Sequence, residues 1–289
     1  MSTLKALGTD LYRGISDVLF IFSYPRSLRK RLTLLVAATR ICCKFFLARF
    51  FVFSHERFLG FRIAIDDYRG FARMFREIFV RRIYYFESSV PAPRVIDCGG
   101  NIGMSVLYVK WLYPHAHIDV FEPAAETVRH LRETIQHNML DDVVVHHVAV
   151  GGADGELELS VPRHRGRSGG ASLKGVFGDD AQEWLVERVP VETLSKYVKE
   201  IHPDFVKIDI EGSEGEVIQE LSDAGVLAEI PEMEIEYHHG KATLSFGAFL
   251  QTLERAGLRA IIHGDDVDLP IFYLKKRKHY HSMVRAFKT

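Results

Sequence analysis

The stretch Arg94-Val-Ile-Asp-Cys-Gly-Gly-Asn-Ile-Gly103 decides the fold. Val95 and Ile96 make a short buried strand, Asp97 puts an acid at its end, and a Gly-rich turn leads into a helix from Met104 to Leu112. Gly99, Gly100 and Gly103 let backbone approach a ligand with no Cβ in the way. The helix start points its amides into the same space. Asp97 is placed to align those amides or to accept from a ligand hydroxyl or amine. The spacing is Asp-x-Gly-x-Asn-x-Gly, without the Gly-x-Gly-x-x-Gly of dinucleotide sites. A second acid, Glu122, follows Gly103 by nineteen residues and ends the strand Ile118 to Phe121. An acid there suits the two hydroxyls of a ribose. The stretch reads as a nucleoside site whose ligand need not carry a pyrophosphate.

Outward from it, strands and helices alternate, which predicts a parallel sheet in an α/β fold. Helix Ala124 to Asn138 follows the second strand, then strand Val143 to His147, a turn at Gly151 to Gly155 and an alternating strand Glu156 to Val161. Arg188 to Val191, Phe205 to Ile210 and Met233 to Tyr237 read as strands. Helices are expected within Val191 to Glu200, over Gly215 to Ser222 and over Ser245 to Ala256, the last stopped by Gly257. Leu258 to Ile262 and Ile271 to Leu274 are expected to complete the sheet as an antiparallel pair, with Lys275 to Lys278 a basic exposed end. Pro162 to Asp180 is a long loop rich in Gly, Ser and Arg, and loops of this length are usually functional or disordered. Its Arg163, His164, Arg165, Arg167, Ser168 and Ser172 suit a polar acceptor; a solvated loop is the alternative.

The chain has 289 residues, 47% hydrophobic and 26% charged, enough for one large α/β domain with an extension or for two small domains. Three cysteines, Cys42, Cys43 and Cys98, and no cleavable signal peptide fit a reducing cytoplasm. A net charge of −1 argues against a general nucleic-acid binder. That balance hides an asymmetry: residues 1–53 carry nine Lys and Arg against two Asp, a net of +7, and the remainder carries −8.

Met1 to Tyr24 reads as a helix interrupted at Pro25. Ser27 is placed to cap a second helix, Leu28 to Val52, on which Arg29, Thr33, Arg40 and Lys44 form a narrow polar stripe. The apolar arc is too wide for a solvated helix, and its basic residues interrupt every run well short of a membrane span of about 18 residues. Residues 1–53 are therefore a basic amphipathic anchor on the inner face of an anionic membrane, or a helical cap packed on the domain or in a homo-oligomer. Phe61 to Asp67 reads as an edge strand and Phe71 to Ile83 as a helix. Tyr84, Tyr85 and Phe86 then precede the nucleotide strand, as ordinary core or as aromatics beside the ligand.

In open α/β sheets ligands sit beyond the carboxyl ends of the strands. Residues two apart on a strand share a face, so Lys207, Asp209 and Glu211 share one if their strand runs that far, as do Glu234, Glu236 and His238. Acids collected there are costly unless paired or opening into a cleft. Asp209, Glu236 and His238 would also make a two-carboxylate, one-histidine metal set, although nothing in the spacing demands a metal and none is expected.

Four segments, in order, carry a family resemblance: Val95 to Gly103, the triplet Phe121-Glu122-Pro123, the run Lys207-Ile-Asp-Ile-Glu-Gly-Ser-Glu214, and Glu236-Tyr-His238. Together they resemble the FkbM family of S-adenosylmethionine-dependent methyltransferases, which act mostly on oxygen. The resemblance runs from about Glu77 to about Ile262. It implies a Rossmann-like class I methyltransferase fold, with a mostly parallel seven-stranded sheet, helices on both faces and an N-terminal helical extension. It divides the chain into an extension, 1–60, a helical lead-in, 61–93, and a catalytic domain, 94–289. It implies S-adenosylmethionine held by Asp97, Gly99, Gly100, Asn101, Gly103, Glu122, Pro123 and Ala149, with Tyr85 as the neighbouring aromatic. The acceptor is expected to be a sugar hydroxyl or a related small polar group, on a small molecule or a glycan. Arg167, Ser168, Ser172 and Glu214 would hold it. Two departures are visible. Gly100 stands where Ala is more usual, a small change that keeps the turn possible, and His147 stands where an Asn near the adenine is common.

Methyl transfer to a hydroxyl needs a base for its proton. His238, whose ordinary pKa is about 6.5, or its face-mate Glu236 suits that role, with Asp209 and Glu211 orienting the acceptor. The rival readings are a nicotinamide-dependent oxidoreductase and a catalytically inactive, membrane-associated interaction protein.

Overall fold

The computed structural model describes residues 17–23, 27–48, 50–162, 184–239, 241, 243–263 and 280–288. Residues 17–22 are helical. Leu28–Leu47 is one helix (α1), begun by Ser27, whose hydroxyl accepts from the Lys30 N–H. His55–Phe58 (β1) and Phe61–Ala64 (β2) then pair antiparallel around Leu59 and Gly60, both at positive φ. The expected edge strand at Phe61 to Asp67 is thus half of a separate two-stranded ribbon. His55–Phe58 supplies a partner of equal length, and Phe58 seats the ribbon among Phe71, Phe75 and Phe79. Asp67 accepts from the N–H groups of Arg69 and Gly70 and so starts the helix Tyr68–Phe75 (α2). That helix widens into a π turn over Arg76–Val80, which ends it short of the expected Ile83.

The main sheet is built by Arg94–Cys98 (β3), His117–Phe121 (β4) and Val143–His146 (β5), joined through helices Met104–Leu112 (α3) and Ala125–His137 (α4). An excursion follows: Ala149–Gly151 (β6), Gly155–Pro162 (β7) and Trp184–Thr193 (β8) form a three-stranded sheet in the order β6-β8-β7. The sheet resumes through Ser195–Ile201 (α5), Phe205–Ile208 (β9), Glu214–Asp223 (α6), Glu232–His239 (β10), Phe246–Arg255 (α7), Arg259–His263 (β11) and Tyr280–Phe287 (β12). Its order is β11-β12-β10-β9-β3-β4-β5. Only β12 runs against its neighbours. The expected fold class, a mostly parallel seven-stranded α/β sheet with N-terminal helices, is the one observed.

One expectation at the C-terminal edge is corrected. The partner of β11 is Tyr280–Phe287, which inserts between β10 and β11; Ile271 to Leu274 and Lys275 to Lys278 lie outside the described residues. Met283 is buried in one core cluster while Val284 and Ala286 are buried in another. A strand covered on both faces has no polar alternation to reveal it, so this one passes for a tail. Strand β9 also ends at Ile208, two residues short of expectation, because Glu211 and Gly212 turn the backbone at positive φ.

The chain winds outward from β3 through β4 to β5, then crosses back to β9 and β10. The reversal between β3 and β9 is the topological switch point, where a crevice opens beyond the strand ends. Helices α6 and α7 cover one face over a cluster that includes Ile96, Ile208, Ile235, Val217 and Phe249. The N-terminal layer covers part of the other. There Leu34, Ile41, Phe75 and Phe79 share a cluster with Tyr84, Met104, Tyr108 and Met283.

Charge also ties α1 down. Glu56, its carboxylate 1% exposed, takes Arg40 at 2.9 Å and Lys44 at 2.8 Å, and the Tyr68 hydroxyl donates to it at 2.9 Å. Two of the four residues in the expected polar stripe of this helix therefore point at protein. Replacing Glu56 by Gln removes charge-assisted hydrogen bonds at a dry site and is expected to lower the unfolding free energy by about 2 kcal/mol in urea titrations. Arg40→Ala, at a half-exposed position, is expected to cost under about 1 kcal/mol. Equal, negligible effects would mean that Glu56 does not anchor the helix.

Candidate functional site

Strands β3, β4, β9 and β10 are parallel neighbours, so their carboxyl ends open on one side. Asp97 lies in register with Lys207 on β9, and Lys207 with Glu234 on β10. Parallel strands in register present side chains to the same face. The Lys207 ammonium is buried and sits 3.1 Å from Asp97 Oδ1 and 3.7 Å from Asp209 Oδ2. It donates to the carbonyls of Cys98 and Gly99 at 3.1 and 2.6 Å. Burial alone would lower its pKa; Asp97 and Asp209 outweigh that and hold it above an ordinary lysine. Asp97 also accepts from the Ser105 hydroxyl of α3 at 2.5 Å, so it faces inward to Lys207 and Ser105.

The Gly-rich turn packs as tightly as its composition predicts. Gly99 and Gly100 both donate to the Phe121 carbonyl, at 2.9 and 3.0 Å. A Cβ on Gly99 would fall 1.9 Å from the Asp209 carbonyl oxygen. A Cβ on Gly100 would fall 2.1 Å from Val120 Cγ2. Gly100 keeps the turn possible, as expected, and with Val120 beneath it an alanine here would require Val120 to shift. Gly103, at φ +97°, begins α3 without any side-chain cap. The first N–H groups of that helix are left for a ligand.

Glu122 is buried, with Oε2 accepting from the Asn101 N–H at 3.0 Å and Oε1 from the Ala124 N–H at 3.1 Å. It ties the Gly-rich turn to the start of α4. Burial pushes its pKa up to about 7, against those backbone hydrogen bonds. Ala149 is buried beside Ala124 in the small cluster under the excursion. The Pro123 carbonyl accepts from His147 Nε2 at 3.0 Å. His147 lines a groove of about 330 Å³ along α4 with Val128, Arg129 and Arg132.

Of the three aromatics before β3, Tyr84 is the one that reaches the strand ends. Its hydroxyl donates to Asp209 Oδ2 at 3.0 Å, and Lys207 lies over its ring. Tyr85, the residue expected there, turns its hydroxyl to Glu87. Phe86 stacks on Phe205 in the core.

Strand β10 runs past the end of β9 and brings Glu236 and His238 beside Asp209 and Glu211. His238 Nδ1 donates to Glu214 Oε1 at 2.9 Å. Its Nε2 faces Glu211 at 3.5 Å and Glu236 at 3.6 Å. Burial opposes the charge on this imidazole, but the hydrogen bond to Glu214 and the charges of Glu214, Asp209 and Glu211 together lift its pKa to about 10. Glu236 is pushed well above the carboxylate range by burial and by Asp209, with His238 opposing. Glu214 is fully buried, and its Oε1 also accepts from the N–H groups of Gly212 and Ile210. Glu211 pairs with Lys241 at 2.5 Å. Glu234, expected on the same face, is used elsewhere, accepting Arg285 and His263 at 2.5 and 2.8 Å.

The structure thus brings Asp97, the Gly-rich turn and Glu122 together, and beside them Asp209, Glu211, Glu214, Glu236 and His238. Arg163, His164, Arg165, Arg167, Ser168 and Ser172 lie outside the described residues. Asp209, Glu236 and His238 present ligand atoms within 4.8 Å of one another and so can hold a divalent ion, as can His55, Glu133 and His137 on the surface. Lys207 and Ser105 sit at these strand ends without a role given to them by the sequence. The signal for Lys207 was its place two residues before Asp209 on a strand covered on both faces, where a lysine needs a buried acid.

A family model described as the methyltransferase FkbM domain matches residues 97–260. The chain is 27% identical over 202 residues to Methyltransferase 1 of Beauveria bassiana, covering 62% of this chain and 81% of that protein. It is 27% identical over 173 residues to Methyltransferase sdnD of Sordaria araneosa, covering 50% of this chain and 67% of that one. Among solved structures, the methyltransferase FkbM of Methylobacillus flagellatus superposes with a TM-score of 0.46 at 14% identity, over 97% of this chain. This chain spans 60% of that longer one.

Glu122 makes a pH-dependent contribution that can be measured on the ligand-free protein. Its folded pKa of about 7 exceeds the ordinary 4.5. Between those values the folded protein keeps a proton that the unfolded chain has released. Stability from this group is complete at the acid end and falls as pH rises through the window, by on the order of 3 kcal/mol. Glu122→Gln is expected to flatten that decline in urea titrations compared at both ends of the window. An unchanged slope would mean that the carboxyl is hydrated.

Proposed function

We propose that this chain, which belongs to the FkbM methyltransferase family, is an S-adenosylmethionine-dependent O-methyltransferase acting on a sugar hydroxyl or a related small polyol. The observation that carries the acceptor class is the group of carboxylates Asp209, Glu211 and Glu236 at the ends of β9 and β10. Ionised carboxylates only accept hydrogen bonds. A cleft lined with them favours a neutral, hydroxyl-rich acceptor and disfavours an anionic one.

The residues present fit the cofactor. The uncapped start of α3 and the Gly-rich turn suit its carboxylate, and Glu122 keeps free lone pairs for ribose hydroxyls. When bound, S-adenosylmethionine supplies an electrophilic methyl group on a positively charged sulfur. Asp97 and Lys207 hold the turn rigid, Asp209 orients the acceptor, and Glu236 takes the hydroxyl proton as its oxygen attacks. His238 is the weaker choice of base, because its neighbours keep it protonated at neutral pH. It instead positions Glu236 and Glu211 through its Nε2–H, while Glu214 fixes the ring. A carboxylate whose pKa is pushed well above its usual range by burial and by Asp209 is also a stronger base than an ordinary one.

S-adenosylhomocysteine is expected to bind and raise the melting temperature, with NAD giving no shift. Glu122→Ala should weaken the homocysteine product roughly ten- to a hundredfold, the value of a charged hydrogen bond. Tight NAD binding without a response to that product would overturn the reading.

For the base, Glu236→Gln is expected to slow turnover by about 10²–10⁴-fold, with S-adenosylhomocysteine affinity unchanged. The rate of the unaltered enzyme should rise with pH as Glu236 ionises and hold until His238 loses its proton near pH 10. Full turnover in Glu236→Gln together with loss in His238→Ala returns the role to the imidazole. Activity lost to a chelator and restored by a divalent ion makes Asp209, Glu236 and His238 metal ligands instead.

A further inference from the structure

Helix α1 has two apolar faces, and the domain covers one. Leu34, Ala37 and Ile41 are buried. Leu28, Leu32, Val36, Thr39, Cys43 and Phe46 recur at steps of four and three residues and are all exposed. At about 100° per residue they line the opposite side of the helix. Val36 is 68% exposed and Leu28 61%. The segment after the helix continues the patch, with Phe50 at 81% and Val52 at 95%. Eleven of the nineteen large apolar side chains left exposed among the described residues fall within residues 18–52. A contiguous apolar surface of this kind marks a contact site.

Its electrostatics say what it contacts. Residues 18–55 contain seven Lys and Arg and no Asp or Glu. Arg40 and Lys44 turn inward to Glu56, whereas Arg29 is exposed beside the apolar stripe. We propose that the exposed apolar side chains of residues 18–22, α1 and residues 50–52 form a docking face for an anionic lipid bilayer, with α1 lying in the plane of the headgroups. Apolar side chains then enter the acyl boundary while the exposed Arg29 meets lipid phosphates. A second copy fits less well, because a two-fold contact sets like against like and would oppose two acid-free cationic faces. No helix among the described residues is long and apolar enough to cross a membrane, so the contact is superficial. This inference stands on the N-terminal surface and is independent of the methyl-transfer reading.

The test is co-sedimentation of the full chain with vesicles of phosphatidylcholine alone and of phosphatidylcholine mixed with phosphatidylglycerol. Binding is expected to the anionic vesicles, to be weak on the neutral ones, and to be reversed by salt, which screens exposed charge. Val36→Asp and Leu32→Asp should each reduce partitioning at least about tenfold, the loss expected when a buried apolar side chain becomes charged. Both positions face water, so the circular dichroism spectrum and urea midpoint should not move. Absence of binding to either vesicle overturns the proposal, as does binding that Val36→Asp leaves unchanged. A dimer in sedimentation velocity that Val36→Asp dissociates also overturns it and assigns the face to a second copy.

Discussion

A lysine buried between two acids sets the geometry of the switch point. Lys207 cannot keep its charge in a dry site without Asp97 and Asp209 beside it. The three come from the ends of adjacent strands, so the charge balance also holds the ends of β3 and β9 in register. Lys207 adds hydrogen bonds to the carbonyls of Cys98 and Gly99, which fixes the first residues of the Gly-rich turn. The turn then has no room to adjust: the Asp209 carbonyl lies where a Cβ on Gly99 would be. One buried cation thus determines where the strand ends stop, how the turn leaves them and which glycines are obligatory.

The N-terminal layer belongs to this arrangement. Tyr84 closes the charge cluster by bonding to Asp209 and laying its ring under Lys207. It is held in place by the same apolar cluster that contains Phe75, Phe79 and the inner face of α1. Residues before β3 therefore complete the face of the sheet on which the acids lie. The described structure gives the extension two kinds of attachment to the domain, apolar packing through Leu34 and Ile41 and the ion pairs of Glu56.

Much of this was legible in the sequence where a local rule governs it. The helix Met104–Leu112 follows a strand and a glycine turn, and its limits match the reading residue for residue. The cap at Ser27 is side-chain chemistry within three residues. Legibility fails where long-range burial decides. Strand β12 lies between two strands and shows no alternation. Tyr84 and Tyr85 are adjacent aromatics that sequence cannot rank, and only the packing turns one toward Asp209 and the other toward Glu87. For His238 the sequence shows the imidazole but not the carboxylates that surround it. An imidazole's ordinary pKa suggests a base, whereas a fully buried carboxylate at Nδ1 and two more at Nε2 lift that pKa to about 10 against its burial.

That charge state changes how the acids can work. Asp209, Glu211, Glu214 and Glu236 crowd one corner, and four negative charges there would repel one another and draw in water. Glu214 Oε1 accepts from His238 and two backbone amides, and Glu211 pairs with Lys241. Asp209 is shared between Lys207 and Tyr84. Glu236 is the carboxylate left with the longest contacts, 3.6 Å to His238 and 3.4 Å to His281. Burial and Asp209 also push its pKa well above the ordinary carboxylate range. A group poised in this way gains most from accepting a proton, because protonation relieves both its desolvation and its repulsion from Asp209. The acids that are firmly paired form the scaffold, and the loosely held one is chemically available.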